Sequence, residues 1–300
     1  MKFDPSLIPV VLASIAPPII FLFVIFWDRR QRRGVEKPPQ VEKLLRPPGY
    51  SLANRLDESL DAILLELFKA FFLGSMSGSS AFAAYHSLIG HAPVLVTTVF
   101  IVLLVLFTAA CAMATRKAIQ IFHDGRKIRL GLRGEQAVAE ALGEAADSGF
   151  RAFHDIPGGD NWNIDHVAVG TRGVFLIETK ARSKRAGYNN QPAHEVIFTG
   201  DFLQFPTGKD TKSLEQAKRN AAWFSDYLRK KTGEPVRVEP LVVLPGWFVR
   251  IAERGNFAVK AKNTNYLVRF LAGQTEIIPP AQVRRIITAL DEKCRDVDFN

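Results

Sequence analysis

Two runs of the chain hold no charge over lengths that match a bilayer. Residues 7–27, LIPVVLASIAPPIIFLFVIFW, are long enough to cross roughly 30 Å of hydrocarbon at about 1.5 Å per helical residue. Pro9, Pro17 and Pro18 are tolerated better in such a helix than in a soluble one, and Trp27 stands where an interfacial anchor belongs. A cleaved leader is the competing reading, but the run is long and Lys2 alone marks a basic start. The second run, 94–115, has the core VLVTTVFIVLLVLFTAACAMA and stops at Arg116 and Lys117.

Basic clusters follow both runs: Arg29, Arg30, Arg32 and Arg33 after the first, then Arg116, Lys117, Arg126, Lys127 and Arg129 after the second. Both flanks are therefore expected on the cytoplasmic side, which requires an even number of crossings between them. Residues 63–88 supply the missing crossing, with Gly74, Ser75, Ser77, Gly78 and Ser79 suited to close helix contact. Glu66 and Lys69 can pair there at i and i+3, although a helix lying on the membrane surface is an alternative. The expected layout is a cell-membrane protein with about three spans in residues 1–127 and its amino terminus outside. Residues 34–61, rich in proline and mixed charge, form a short connection with no evident chemistry.

Beyond residue 128 the pattern changes to alternating helices and short strands. RGEQAVAEALGEAA predicts a helix over 134–146, and strands follow at 150–156, in IDHVAVG and in GVFLIETK. HEVIFTGDFLQF predicts a small hairpin. A helix is expected from Ser213 to about Lys230, with Leu214, Ala217, Ala221, Phe224 and Leu228 as its apolar stripe. A strand near 240–244, another in NFAVKAK, a short helix near 265–271 and a last helix over 280–291 form a carboxy-terminal extension, 246–300.

Charge adds little to this picture. Of 39 Lys and Arg and 30 Asp and Glu in 300 residues, the stretch 128–300 holds 25 and 21, so most of the excess belongs to the membrane flanks. That is weak support for a nucleic-acid partner. Two cysteines, Cys111 and Cys294, suggest neither a disulfide framework nor a thiolate zinc site, and no HExxH occurs.

The chemistry lies in the GTRG hairpin. If Gly170 and Gly173 face each other across a two-residue turn, counting five positions outward on each side sets Asp165 opposite Glu178. Lys180 projects from the same face, since strand side chains alternate. Opposed carboxylates repel, and a hard divalent ion, Mg²⁺ or Mn²⁺, relieves them. A solvated salt-bridge network is the competing reading. The apolar neighbours Val167, Val169, Val174, Phe175 and Ile177 argue instead for a buried hairpin. Glu135 shares the apolar stripe of its helix with Val138 and Leu142, either as a site carboxylate or as a first-turn Glu favoured by the helix dipole.

GLRGE at 131–135, FHDIP at 153–157, NIDHVAVGTRGVFLIETK at 163–180 and the region of Gln216 together resemble the NERD, or nuclease-related, domain. The resemblance covers about residues 128–245. It implies a place in the PD-(D/E)xK nuclease superfamily, near the Mrr-like restriction endonucleases. The implied fold is α/β, an α-β-β-β-α-β core around a central mixed sheet. Asp165 and Glu178 then correspond to the metal-binding carboxylates, Lys180 to the motif lysine, Glu135 to the helix carboxylate, and the Thr179 carbonyl to a further metal ligand. Gln216 corresponds to the helix glutamine, but Asn220 stands where an aromatic residue often follows. A capping box from Ser213 to Gln216 is the local alternative. The implied activity is metal-dependent hydrolysis of phosphodiester bonds, with DNA as the expected partner and Arg182, Lys184 and Arg185 expected to meet its backbone. A nuclease fold retained for binding or scaffolding is the rival. His154 and His166 are expected outside the site, and Trp247 and Phe248 are expected in packing.

Overall fold

The computed structural model describes residues 43–88, 93–159, 162–184, 192–253 and 255–297, with isolated positions 19, 20, 23 and 27. The first apolar run lies outside the described residues except at those four positions, and Arg185 lies outside them altogether. Two compact units divide the chain: Met1–Pro39 with Leu56–Arg126, and Gln40–Arg55 with Lys127–Asn300.

The first unit is built on two long helices, α1 (Tyr50–Leu88) and α2 (Pro93–Glu144), each of which runs on into the second unit. Within the unit they pack antiparallel. Glu66 meets Lys117 at 2.6 Å, the Cys111 thiol points at the Ala70 carbonyl at 3.8 Å, and Tyr85 faces Phe100 with ring centroids 5.8 Å apart. A Cβ on Gly74 would fall 2.5 Å from the Phe107 ring, so the close approach requires glycine there. Glu66 also pairs with Lys69 at 3.2 Å, as the i, i+3 spacing predicts.

Among the described residues one helix, α2, is long and apolar enough to cross a membrane; its most apolar window has a mean hydropathy of 2.4 and none of it is buried. The expectation of about three spans is corrected to that extent. Residues 63–88 form the apolar part of α1, which carries the charged pair Glu66 and Lys69. The expected break between a span ending at 115 and a helix starting at 134 is absent. Nothing between them stops a helix: Gly125, Gly131 and Gly134 each cost only about 1 kcal/mol, and their neighbours are good helix formers.

In the second unit a 3₁₀ turn (Ala145–Ser148) leads into a three-stranded antiparallel meander, β2 (Arg151–Gly159), β3 (Trp162–Gly170) and β4 (Gly173–Thr179), preceded in the chain by the short β1 (Leu44–Leu45). Then come β5 (Glu195–Phe198), β6 (Leu203–Phe205), β7 (Gly208–Asp210), α3 (Lys212–Thr232) and β8 (Val238–Val243). The extension adds β9 (Phe248–Ile251), β10 (Lys260–Lys262), α4 (Thr264–Ala272), α5 (Pro280–Cys294) and β11 (Arg295–Val297). The fold is α/β, with a mixed five-stranded sheet in the order β10-β8-β4-β3-β2 and a four-stranded sheet in the order β7-β6-β5-β9. Strand β11 pairs with β1.

Alternation along the central strands sorts side chains into two cores. Val167, Val169, Val174 and Leu176 join Phe224 and Leu228 of α3 and Ile286 and Leu290 of α5. Ala168, Phe175 and Ile177 turn the other way, onto Val138 and Leu142 of α2 and Leu267 and Leu271 of α4. A third core fills the space between the small sheet, Leu214 and Ala217 of α3, and Val242 and Leu244. All the central positions are at or near full burial, which explains why β4 reads as a continuous apolar run up to Glu178.

Candidate active site

Gly170 pairs with Gly173 and the ladder continues to His166 opposite Ile177, so the next positions in the same register are Asp165 and Glu178. There the ladder opens. The Thr179 N–H donates to Asp165 Oδ2 at 2.7 Å, which turns the Asp165 carboxylate onto the strand segment that carries Glu178. Strand β4 ends at Thr179, and the Lys180 N–H donates to the Val243 carbonyl at 2.8 Å, which ties the following residue to β8.

The same row extends to β2. His154 faces His166 and Ile156 faces Ile164, so Asp155 stands opposite Asp165 in that register. Its backbone has a φ of 50°, unusual for a residue other than glycine, and its side chain is fully buried. Arg46 donates to Asp155 Oδ2 at 3.0 Å, the Ser51 hydroxyl donates to the same oxygen at 2.7 Å, and the Asn163 amide donates to Oδ1. Arg46 also reaches Asp296 at 2.6 Å. The connection at 34–61, which reads as lacking chemistry, is thereby corrected: Arg46 and Ser51 hold a buried carboxylate in the site row.

Helix α2 brings the fourth carboxylate. A Cβ on Gly134 would fall 2.6 Å from Ala181 Cβ and 3.4 Å from Thr179 Cγ2, so the helix backbone rests against the end of β4. Glu135, the next residue, is 5% exposed. Glu135 Oε2 and Glu178 Oε2 are buried and neither has a hydrogen-bond partner. Leaving such oxygens unpaired is costly, and it is the clearest sign that the row is built for something besides its own side chains.

Electrostatics follow from this crowding. Burial, with the charges of Asp165 and Asp155 added, pushes Glu135 up to about 9, against an opposing pull from the Gly49 amide. Burial raises Asp165 to about 7; the Thr179 amide opposes it, Asp155 adds to it and Lys180 opposes it. Burial and the Asp165 charge hold Glu178 well above the usual carboxylate range, with Lys180 pulling down, Glu135 pushing up and Arg219 of α3 pulling down. Glu135 therefore retains a proton at neutral pH, and Asp165 and Glu178 hold theirs more tightly than ordinary carboxyls do.

The remaining predicted residues fall as follows. Gln216 is half-buried on α3, and the same helix brings Arg219 within electrostatic reach of Glu178. The capping box from Ser213 to Gln216 is not formed: the helix begins at Lys212, and Asp210 accepts from both the Ser213 N–H (3.1 Å) and hydroxyl (2.9 Å). Arg182 pairs with Asp210 at 2.8 Å and lies over the Phe205 ring at 4.2 Å, while Lys184 is exposed. His154 and His166 share a 2.8 Å contact between their Nδ1 atoms, and His166 Nε2 meets Thr179 Oγ1 at 3.1 Å. Burial lowers His154 to about 4 and His166 well below its ordinary value, so this pair is a neutral strut on the opposite side of the sheet from Asp165. Trp247 is buried in the third core, whereas Phe248 is half exposed.

Counting from the turn does not reach Asp155: Gly159 pairs with Trp162, and the register shift between Pro157 and Gly159 is what sets Asp155 opposite Asp165. Arg46, 109 positions away, left no local signal. Among the described residues no three His, Cys, Asp or Glu side chains converge on one metal position. A Mg²⁺-type seat does not need three, because that ion takes one or two protein carboxylates and completes its shell with water and phosphate.

A three-stranded meander, a crossover helix and a parallel strand form an α/β domain with carboxylates and a lysine at the carboxyl end of its central strand. Residues 130–245, about two fifths of the chain, match the family described as NERD, the nuclease-related domain. No curated protein and no solved structure matches the chain.

Proposed function

We propose that this protein is a membrane-anchored, divalent-metal-dependent nuclease that hydrolyses phosphodiester bonds, with DNA as substrate, on the cytoplasmic face of the cell membrane. The observation that carries the reading is the pair of buried, unpartnered oxygens, Glu135 Oε2 and Glu178 Oε2, in a row with Asp165 beside Lys180. Asp165 and Glu178, with the Thr179 carbonyl, would hold Mg²⁺ or Mn²⁺. The Thr179 amide occupies one oxygen of Asp165 and leaves Oδ1 for the cation. When bound, such an ion lowers the pKa of a water and polarises the phosphodiester. Lys180 stabilises negative charge next to Glu178, as it already does for Glu178 and Asp165. Glu135 carries a proton at neutral pH in the metal-free site and is able to pass it on. Gln216 stands on the helix that brings Arg219 toward Glu178.

Apolar side chains exposed along α2, from Val94 (80% exposed) through Leu106 (61%), support lipid contact. The charged pair of Glu66 and Lys117 then marks the membrane surface, and the basic residues after position 115 face the cytoplasm.

The test uses the full chain in detergent, with plasmid DNA and with RNA, in Mg²⁺, Mn²⁺ or EDTA, beside Glu178→Gln and Lys180→Ala. Metal-dependent DNA cleavage that both substitutions abolish is expected. Equal cleavage in all three, or none in any, sinks the catalytic reading, and the second outcome favours a retained fold used for binding.

A further inference from the structure

A second concavity lies in the part of the fold beyond the matched domain. It has a volume of about 420 Å³ and is lined by Phe248 and Ile251 of β9, Lys262 at the end of β10, and Tyr266, Arg269 and Phe270 of α4, with no acidic side chain among its lining residues. We infer that this groove binds a single-stranded segment of nucleic acid, stacking a base on Phe248 and Tyr266 and taking the adjoining phosphate on Lys262 and Arg269. The inference rests on the nuclease reading, and it identifies where the strand beside the cleaved bond lies.

Chemistry and position both support this occupant. Phe248 and Tyr266 are 50% and 53% exposed, large aromatic surfaces that water solvates poorly and that any base can cover. Lys262 sits 5.0 Å from the Phe270 ring and, like Arg269, has no ion-pair partner among the described residues. Lys260 shares that ring but is neutralised by Glu239 at 2.8 Å. Two unneutralised cations beside exposed rings fit an aromatic anion better than an apolar peptide or a lipid chain.

The sheet sets the spacing. Thr179 pairs with Val243 on one side and Lys262 pairs with Val243 on the other, so Thr179 and Lys262 lie two strand spacings apart, about 10 Å. The backbone joins them directly: the Lys180 N–H donates to Val243 O, and the Leu244 N–H donates to Lys262 O at 2.9 Å. Both groups occupy the carboxyl ends of parallel strands, where open α/β sheets place ligands. Lys262 shares the row of Thr179 and so projects from the face opposite Glu178, and a strand with its scissile phosphate at Glu178 and Lys180 reaches the groove by rounding the carboxyl end of the sheet.

The experiment measures binding of short fluorescent oligothymidine and oligouridine, and of a blunt duplex, to the full chain in EDTA, where metal-dependent turnover is absent. Phe248→Ala with Tyr266→Ala is expected to weaken single-strand binding roughly tenfold to a hundredfold and leave the blunt duplex unaffected. Arg269→Gln is expected to lower the salt dependence of single-strand binding by about 0.7 in the log–log slope. Unchanged oligonucleotide affinity in these variants, or an equal loss on the duplex, overturns the inference. Cleavage of DNA by the parent in Mg²⁺ is read separately. A cleaving parent with an indifferent groove sinks the groove alone, and an inert parent whose binding depends on the groove sinks the nuclease reading alone.

Discussion

Replacing Glu135 by Gln tests whether the site row stores protons. Burial and the neighbouring carboxylates lift Glu135 from an ordinary 4.5 to about 9, so at any pH between those values the folded chain keeps a proton that the unfolded chain has released. The stability linked to that proton is complete below about 4.5 and is lost as the pH climbs through about 9. From pH 5 to pH 8 the loss is on the order of 4 kcal/mol, three pH units at about 1.36 kcal/mol each. For a domain of this size that corresponds to a fall in Tm on the order of 8–16 °C. The amide in E135Q keeps the shape and cannot titrate, so the difference between the two Tm curves reads Glu135 together with its coupling to Asp165 and Glu178. Thermal unfolding of the full chain in detergent and EDTA, followed by tryptophan fluorescence, reads it, because Trp162, Trp223 and Trp247 all lie in the second unit. The gap between E135Q and the parent should widen steadily with pH, and Mg²⁺ should raise the parent's Tm more at pH 8 than at pH 5, since a bound cation replaces the proton. Parallel curves for parent and variant across this range refute the reasoning.

Arg46→Met leaves the buried Asp155 without its guanidinium partner, which should cost about 3–5 kcal/mol in urea unfolding, and adding Asp155→Asn should restore most of it. Gly134→Ala drives a methyl into Ala181 at the end of β4 and should destabilise the chain by about 1–3 kcal/mol despite the better helix propensity, with Ala181→Gly rescuing it. A simple propensity effect predicts the opposite sign, so unfolding midpoints decide between them. For the membrane reading, the chain should stay with the bilayer through alkaline extraction, and a cysteine placed in the basic stretch after residue 115 should react with an impermeant thiol reagent only once cells are opened; labelling of intact cells reverses the topology.

Residues close in register were legible and residues close only in space were not. The two-residue turn at Thr171 and Arg172 fixes the pairing of β3 with β4, so Asp165, Glu178 and Lys180 follow by counting, and the apolar run around them gives burial. The same counting misses Asp155, because a register shift between Pro157 and Gly159 sets its partner and its left-handed backbone has no signature in the residue itself. Helix ends were read less well. The start of α3 depends on Asp210, outside the helix, and α2 runs through three glycines that local propensity treats as weak points. Gly49, Arg46 and Ser51 were beyond reach, because they meet Glu135 and Asp155 only after the chain has left and returned through about a hundred residues of helix. These three lie before residue 130, where the match to the nuclease-related domain begins. The matched stretch therefore leaves out groups that hold the row: a fragment cut at its boundary lacks Arg46 and Ser51, two partners of Asp155, and the Gly49 amide facing Glu135.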